Sequence, residues 1–182
     1  MAVNRIGYFR DLARYNTWMN RRIYEVCGCL TDEERKRDMG AFFRSIHGTL
    51  NHLLLTDRVQ LGRFIGPERV RSFDSAGAEI EIRSLDQRLY DSFEDLARER
   101  ARTDALIEEW TGKELTEDFL EGSLRYQAMS AEGEFLVPMF IAVAHFFNHQ
   151  THHRGQITTL LSQLGRDPGV TDLMAMLRQR VV

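Results

Sequence analysis

Long segments in which apolar residues recur every three or four positions dominate this sequence. Because an α-helix takes about 3.6 residues per turn, such spacing keeps side chains on one face. The first segment shows it most clearly, and the face that it predicts carries Ile6, Phe9, Ala13, Asn16, Asn20, Ile23, Cys27 and Leu30. The segment is predicted to form a long helix with two asparagines inside an otherwise mostly apolar stripe.

Two further segments in the first two thirds of the chain have the same character. The second predicted helix runs from about residue 42 to residue 65, with Ser45 as a candidate N-cap and a Gly-Pro pair as its stop. The third is predicted to begin at Ser84, which forms a capping-box pattern with Gln87, and to end near Gly112.

The last third of the chain is predicted to contain a hairpin and a fourth long helix. Residues 119–137 hold two short apolar runs around "SAEG", which predict a small β-hairpin. The fourth helix is predicted from Pro138 to Leu164. A short amphipathic tail, "TDLMAMLRQR", closes the chain, and the charged stretch "TDEERKRDMG" after the first helix is predicted to be a connector.

Four helices of about 20 to 27 residues with apolar faces predict an all-α protein, a four-helix bundle. Residues 66–83 form a long surface connection, so the second and third helices can be joined by a crossover. The chain of 182 residues is expected to form one domain, residues 1–182.

Charge and hydropathy exclude several classes of protein. The formal net charge of -3 argues against a nucleic-acid partner, since such proteins usually carry a basic excess. The most apolar stretch, "FLVPMFIAVAHFF", is too short to span a bilayer, and the first twenty residues lack the apolar core of a signal peptide. We therefore expect a cytoplasmic protein without a membrane partner.

Four of the six histidines lie in "HFFNHQTHHRGQI", residues 145–157, on the fourth predicted helix. Relative to His149, His145 and His153 lie about 40° to either side and His152 about 60° away. Two pairs, 145/149 and 149/153, therefore have the i,i+4 spacing at which two ring nitrogens reach one metal ion. The spacing does not choose between the pairs, and a cluster that senses pH by protonation is an alternative interpretation.

A metal site needs a third ligand from elsewhere in the chain. Only His47 and His52 remain, both on the second predicted helix, where they lie about 140° apart. His52 is the natural third ligand if the second and fourth helices face each other. Asp57 lies about 140° from His52, and Arg154 lies about 140° from His149. This offset argues against a ligand role for either residue, and a surface or interhelical salt bridge is predicted instead.

Several motifs resemble those of the DinB/YfiT-like metalloenzyme family, the damage-inducible proteins that are unrelated to the polymerase of the same name. "HFFNHQTHHRGQI" matches the signature H-x-x-x-H-R-G-Q, and "SIHGTLNHLLLTDR", "ARYNTWMN" and "GSLRYQ" are similar to its other motifs. The resemblance implies an up-down-down-up bundle, a homodimer and the metal ligands His52, His149 and His153. His145 and His152 then line the pocket or support the ligands. Gln60 stands where many relatives have tryptophan.

Three neutral histidines leave at least one coordination position open, which is typical of catalytic sites. Zn or Ni is the expected divalent metal, with Fe, Co or Cu as alternatives. The resemblance to thiol-dependent relatives implies a transferase that activates a low-molecular-weight thiol against a small electrophile. The alternatives are a metal-dependent hydrolase of a small substrate and a non-catalytic stress-response protein that binds a metal or a ligand.

Two asparagines and one glutamine are candidates to assist such a site through their side-chain amides. Asn16 and Asn20 are candidates to orient the substrate or the thiol from the first helix, and hydrogen bonding between helices is the alternative role for both. Gln156 lies within about 20° of His149 on its helix and is a candidate donor to a ligand.

Overall fold

The computed structural model describes residues 4–129 and 131–178. Four long helices form a bundle, and shorter elements join them. In chain order these are α1 (Arg5–Gly28), α2 (Asp32–Lys36), α3 (Ile46–Ile65), the 3-10 turn Pro67–Val70, α4 (Phe93–Lys113), α5 (Glu117–Glu121), β1 (Ser123–Gln127), β2 (Glu134–Pro138), α6 (Met139–Gln163) and α7 (Leu173–Arg178). Within the described ranges, no helix is both long enough and apolar enough to cross a membrane.

Helix α1 packs against α4 and α6, and α3 packs against the same two helices. Tyr24, near the end of α1, stacks on Phe93 at the start of α4. Arg10, near the start of α1, donates a hydrogen bond to the carbonyl oxygen of Thr111 near the end of α4. These two contacts make α1 and α4 antiparallel.

The other helix directions follow from the contacts of α3. Phe64, at the end of α3, stacks on Trp110 near the end of α4, so these two helices are parallel. Phe64 also contacts Phe146 in the first part of α6, whereas His52 contacts His153 further along α6, so α3 and α6 are antiparallel. The up-down-down-up bundle that the resemblance implied is confirmed, and residues 66–92 form the crossover.

Local signals in the sequence set most of the helix ends. The Ser45 side chain accepts from the backbone N–H of Gly48 and caps α3, as predicted. Gly66 ends α3 with φ of 100°, a left-handed conformation that glycine adopts without strain, and Pro67 follows. The connector predicted after α1 contains the short helix α2, whose capping box joins Thr31 and Glu34.

The predicted start of the third helix at Ser84 is wrong. Helix α4 begins at Phe93, and Ser92 caps it by accepting from the backbone N–H of Asp95. The turn predicted as a capping box is present in part, since Gln87 Oε1 accepts from the backbone N–H of Arg83, but no helix follows. The apolar spacing of Leu85 and Leu89 therefore indicated that these side chains face the core, not that the segment is helical.

Side chains of α3 explain why residues 84–92 are not helical. Asn51 Oδ1 accepts from the backbone N–H groups of Leu89 and Tyr90, each at 2.9 Å. His47 Nε2 lies 2.9 Å from the carbonyl oxygen of Tyr90, and His52 Nδ1 lies 2.7 Å from that of Leu85. These bonds occupy backbone groups that a helix would use internally, and they hold the crossover against α3.

The predicted hairpin is confirmed as an antiparallel pair of β1 and β2, in which Ser123 lies opposite Pro138 and Gln127 opposite Glu134. Ser130, in the predicted turn, lies outside the described residues. The amphipathic tail contains α7, and the last two residues of that predicted segment, 179 and 180, also lie outside the described residues.

The apolar core consists of two clusters, with polar side chains between them. On each of α3, α4 and α6, the polar residues fall between residues of the two clusters. We call this group the buried polar layer, and it comprises Asn16, Asn20, Asp57, Arg100, Asp104 and Arg154. The layer is one polar group inside the bundle, and the histidines of α3 and α6 form another.

Candidate metal centre

Three histidines meet where α3 faces α6. One ring nitrogen from each of His52, His149 and His153 lies within 4.8 Å of the other two. The ring centroids are 4.6 Å apart for His52 and His153, and 4.3 Å apart for His149 and His153. In residues 4–129 and 131–178, this is the one group of three or more histidine, cysteine or acidic side chains placed to hold a metal ion.

Hydrogen bonds select the nitrogen that two of the rings present. His52 Nδ1 lies 2.7 Å from the carbonyl oxygen of Leu85, and His153 Nδ1 lies 2.8 Å from Gln156 Oε1. Both oxygens are acceptors only, so each Nδ1 carries the proton and donates it. Each Nε2 therefore keeps its lone pair, which is the arrangement found in metal-binding histidines.

The third ring fits the same arrangement. His149 Nε2 lies 3.1 Å from His153 Nε2. Two nitrogens on one tetrahedral zinc ion, each at about 2.0–2.1 Å, would be separated by roughly 3.3 Å. His149 Nδ1 is buried and has no hydrogen-bond partner among the described residues, so no protein group competes for either of its nitrogens except the neighbouring ring. The donor set therefore fits a divalent cation.

The protonation state also suits metal binding. Burial, together with charge repulsion from the neighbouring rings, lowers the pKa of His149 to about 3 and of His153 to about 4. Burial lowers the pKa of His52 as well. All three rings are therefore neutral near pH 7, which is the form of imidazole that binds metals.

Phe43 covers one side of the cluster, and no pattern in the sequence indicated this position. Its ring stacks on His52 with centroids 3.7 Å apart, and it packs edge-to-face with His153 with centroids 5.6 Å apart. The next residue, Arg44, has a φ of 66°, which is rare for a residue with a side chain. Arg44 thus joins Phe43, which contacts the cluster, to Ser45, which caps α3.

A cavity of about 370 Å³ opens on the other side of the cluster. His52 and His149 line it, whereas His153 does not. Its remaining walls come from α3, α6, the crossover and the hairpin. Gln60, the departure from the tryptophan of many relatives, is also in its wall.

The other candidate residues on α6 lie around the cluster. His145 lines the cavity, and its ring centroid is 5.8 Å from that of His149. His152 is exposed and its Nε2 lies 3.3 Å from Gln156 Nε2. Gln156 itself contacts His153 through Oε1, rather than the His149 that its angular position indicated.

Asn16 and Asn20, the candidates for orienting a substrate, are not among the described residues that line the cavity. Both belong to the buried polar layer, where their amides donate to Asp104 at 2.8 and 2.9 Å. The alternative role, hydrogen bonding between helices, is the one that the structure shows. A helical-wheel argument could not separate the two roles because both require the same inward face.

Asp57 and Arg154 also belong to that layer and not to the cluster. Asp57 is fully buried and pairs with Arg100 on α4, which confirms a salt bridge between helices. The salt bridge predicted for Arg154 is wrong. Its guanidinium donates instead to Asn16 Oδ1 and to Thr151 Oγ1.

The fold and site together define a class: four-helix bundles with three histidines on two facing helices beside a cavity. The chain belongs to the DinB family, whose sequence model matches residues 1–180. It is 27% identical to the protein DinB of Bacillus subtilis over 161 residues, which covers 88% of each chain.

A solved structure supports the fold. The crystal structure of a DinB-like protein from Bacillus cereus superposes with a TM-score of 0.56, at 22% identity, and covers 86% of this chain and 91% of the other. At this identity the likeness shows the shared fold alone, so the chemistry of the site has to be argued from its own residues.

Proposed function

We propose that this protein is a metal-dependent transferase in which His52, His149 and His153 hold a divalent cation. A low-molecular-weight thiol would react on the cavity side with a small electrophile. The observation that supports the proposal is the convergence of three ring nitrogens within 4.8 Å while Nδ1 of two rings is bonded elsewhere. Three nitrogen ligands suit Zn or Ni, with Fe, Co or Cu as alternatives.

The chemistry requires an open side, and the cavity provides one. Three protein ligands leave at least one coordination position for a small molecule. A bound cation would supply the positive charge that favours the thiolate, which is the nucleophilic form of a thiol.

The surrounding residues orient two of the rings and cover one of them. The Leu85 carbonyl and the Gln156 side chain fix the tautomers of two rings, and Phe43 covers one face of His52. An electrophile in the cavity would then lie beside His52 and His149, on the side that Phe43 leaves uncovered.

One feature of the cavity favours the transferase over the metal-dependent hydrolase. No aspartate or glutamate is among the described residues that line it. A hydrolase built like the HExxH proteases uses a carboxylate as general base beside its metal. A thiol needs less help from a general base to lose its proton than water does, because the ordinary pKa of a thiol, about 8.5, is far lower than that of water.

The proposal is tested with monochlorobimane as the electrophile. Protein purified without a histidine tag is loaded with zinc or nickel and mixed with the reagent and one of a panel of bacterial thiols. The thiol loses its proton, a sulfur–carbon bond forms and chloride leaves, so the fluorescent thioether reports the transfer. We expect a rate that requires the thiol and the metal together.

Two histidine variants make the assay specific. His149→Ala is expected to abolish the thiol-dependent rate, whereas His152→Ala, which removes an exposed histidine of the same helix, should retain it. Equal rates in the wild type and His149→Ala would overturn the transferase. Turnover of simple esters without a thiol would favour the hydrolase instead, and metal binding without turnover in either assay would favour a non-catalytic binding protein.

The homodimer stays a prediction, which analytical ultracentrifugation of the purified protein can test.

A further inference from the structure

The cavity beside the histidine cluster combines apolar walls with one cation. Val59 and Phe64 of α3, Leu124 and Val137 of the hairpin, and Ile141 of α6 contribute apolar wall. Arg63 is the one arginine, lysine or carboxylate residue among the described residues of the lining. An isolated cation in an apolar wall is uncommon, because the charge loses hydration without gaining a counter-charge.

Arg63 has no acidic partner in the described part of the chain. Its Nη2 donates to the carbonyl oxygen of Gln127 at 3.2 Å, and its guanidinium lies 4.4 Å from the centre of the Tyr126 ring. By contrast, Arg58 on the same helix pairs with Glu99 at 2.7 Å. A guanidinium has five N–H donors, so Arg63 keeps donors for another group.

Two contacts already hold the guanidinium in place. The Tyr126 ring and the Gln127 carbonyl both belong to β1, so the hairpin restrains the side chain at the cavity wall. Partial burial lowers the pKa of Arg63, which reflects a charge that no protein acid compensates. A restrained and uncompensated cation is suited to binding an anion, because little ordering is required when the ligand arrives.

Arg63 and His52 lie at the two ends of one helical face. They are eleven residues apart, which corresponds to three turns with a rotation of only about 20° and a rise of about 16 Å. Thr56, Val59 and Gln60 lie between them and also line the cavity. A small molecule lying along α3 would therefore reach from the cluster to the cation across these three side chains, with Val59 as the apolar contact.

We propose that this cavity binds a small molecule with an apolar body and a carboxylate, and that Arg63 holds the carboxylate. The inference rests on the proposed function, since it names the substrate class of the same site. A single guanidinium matches one carboxylate in charge and in bidentate geometry. A phosphate dianion would leave a second negative charge without a partner in the apolar cavity. The carboxylate belongs either to the electrophile or to the thiol.

The test measures binding to metal-free protein, so that a carboxylate cannot bind the metal instead. Isothermal titration compares 4-phenylbutyrate with its neutral amide, and glutathione with its diethyl ester, in the presence of a chelator. The wild type is expected to prefer the carboxylate of at least one pair by about tenfold or more, the range for a hydrogen bond to a charged group. Arg63→Gln should abolish that preference, and Arg63→Lys should retain part of it.

Arg125→Gln is the matched control, because Arg125 lies on the same hairpin but pairs with Glu134 and does not line the cavity. It should keep the wild-type preference, and circular dichroism melts check that all variants fold. Dependence on Arg63 with phenylbutyrate assigns the carboxylate to the electrophile, and dependence with glutathione assigns it to the thiol. No preference in either pair, or an equal loss in Arg125→Gln, overturns the proposal.

Metal binding is measured separately on the same preparations. Arg63→Gln should bind zinc as the wild type does, because Arg63 contacts none of the three histidines. A wild-type protein that prefers carboxylates but binds no metal would remove the proposed function and leave this inference standing. The reverse result would remove this inference alone.

Discussion

The histidine cluster lies on α3 and α6, and the buried polar layer has members on these two helices and on α1 and α4. The two groups use their polar atoms differently. Asp57 follows His52 by five residues and Arg154 follows His149 by five, an offset that turns the side chain by about 140°. In the layer, each of the six side chains has a partner within the layer. In the cluster, Nε2 of His52 has no protein partner in the described residues, and the other two Nε2 atoms face each other.

The difference separates a structural polar group from a candidate functional one. Asp57 and Arg100 form an ion pair at 2.6 Å in the bundle interior, so removing either partner would leave a buried charge uncompensated. The histidine rings are neutral, and only the Nδ1 atoms of His52 and His153 are bonded to an oxygen, which leaves the Nε2 lone pairs available to a ligand. Burial alone would not distinguish the two groups, since His52 is 6% exposed and Asp104 is 3% exposed.

The largest expected effect comes from breaking the layer. Arg100→Met should lower the free energy of unfolding by about 3–5 kcal/mol, because Asp57 and Asp104 are left as buried charges without their shared partner. Chemical denaturation measures the loss. Arg102→Met, on the exposed side of the same helix, should change stability by less than about 1 kcal/mol. Similar losses in the two variants would show that the layer is not what stabilises the bundle.

Removing a ligand should affect metal affinity far more than folding. His52→Ala and His153→Ala are each expected to weaken zinc binding by more than about 100-fold, since loss of a direct ligand exceeds the 10–100-fold effect of losing a supporting group. Competition with a chromophoric chelator measures the affinity. The exposed His152→Ala should bind zinc as the wild type does. Equal zinc affinity in all three variants would contradict the ligand set.

The smallest effect concerns pH, to which the two regions should respond with opposite sign. The pKa of His149 in the folded protein, about 3, lies below its ordinary value of 6.5, so the unfolded chain takes up a proton first. Its contribution to stability is therefore complete above pH 6.5 and is lost as the pH falls toward 3. Burial raises the pKa of Asp57, so its carboxylate takes up a proton at a higher pH in the folded protein than in the unfolded chain. Protonation of Asp57 therefore favours the folded state as the pH falls.

Denaturation of metal-free protein at pH 7 and pH 5 measures the balance. The wild type should lose stability on acidification, because four histidines with a lowered pKa, the three of the cluster and His47, oppose two aspartates with a raised pKa, Asp57 and Asp104. His149→Leu should lose less between the same two pH values. A steeper loss in His149→Leu than in the wild type would show that the neutral rings do not set the response.

The order of the elements was predictable from local patterns, because helix caps and apolar spacing act over a few residues. Ser45 and Gly66 marked the ends of α3 correctly. The start of α4 was not predictable, because Asn51 and His52 reach from α3 to bond the backbone of residues 85–90. A long-range bond of this kind has no signature in the segment that it reshapes.

The candidate site shows the same division. The i,i+4 spacing of histidines on α6 left two pairs open, and family resemblance selected the second. The structure brings His52 to that pair, but it also places Phe43 over one face and a cavity with Arg63 on the other. Asn16 and Asn20 lay on the inward face as predicted, yet that face serves the polar layer.

By itself, the sequence determined which faces are buried and which residues on one helix can act together, since the helical period relates neighbours directly. Only the tertiary structure decided which inward polar side chains are satisfied by other helices and which are left to bind a ligand. That choice depends on the direction and distance of a partner far away in the chain, which the period of a single helix does not contain.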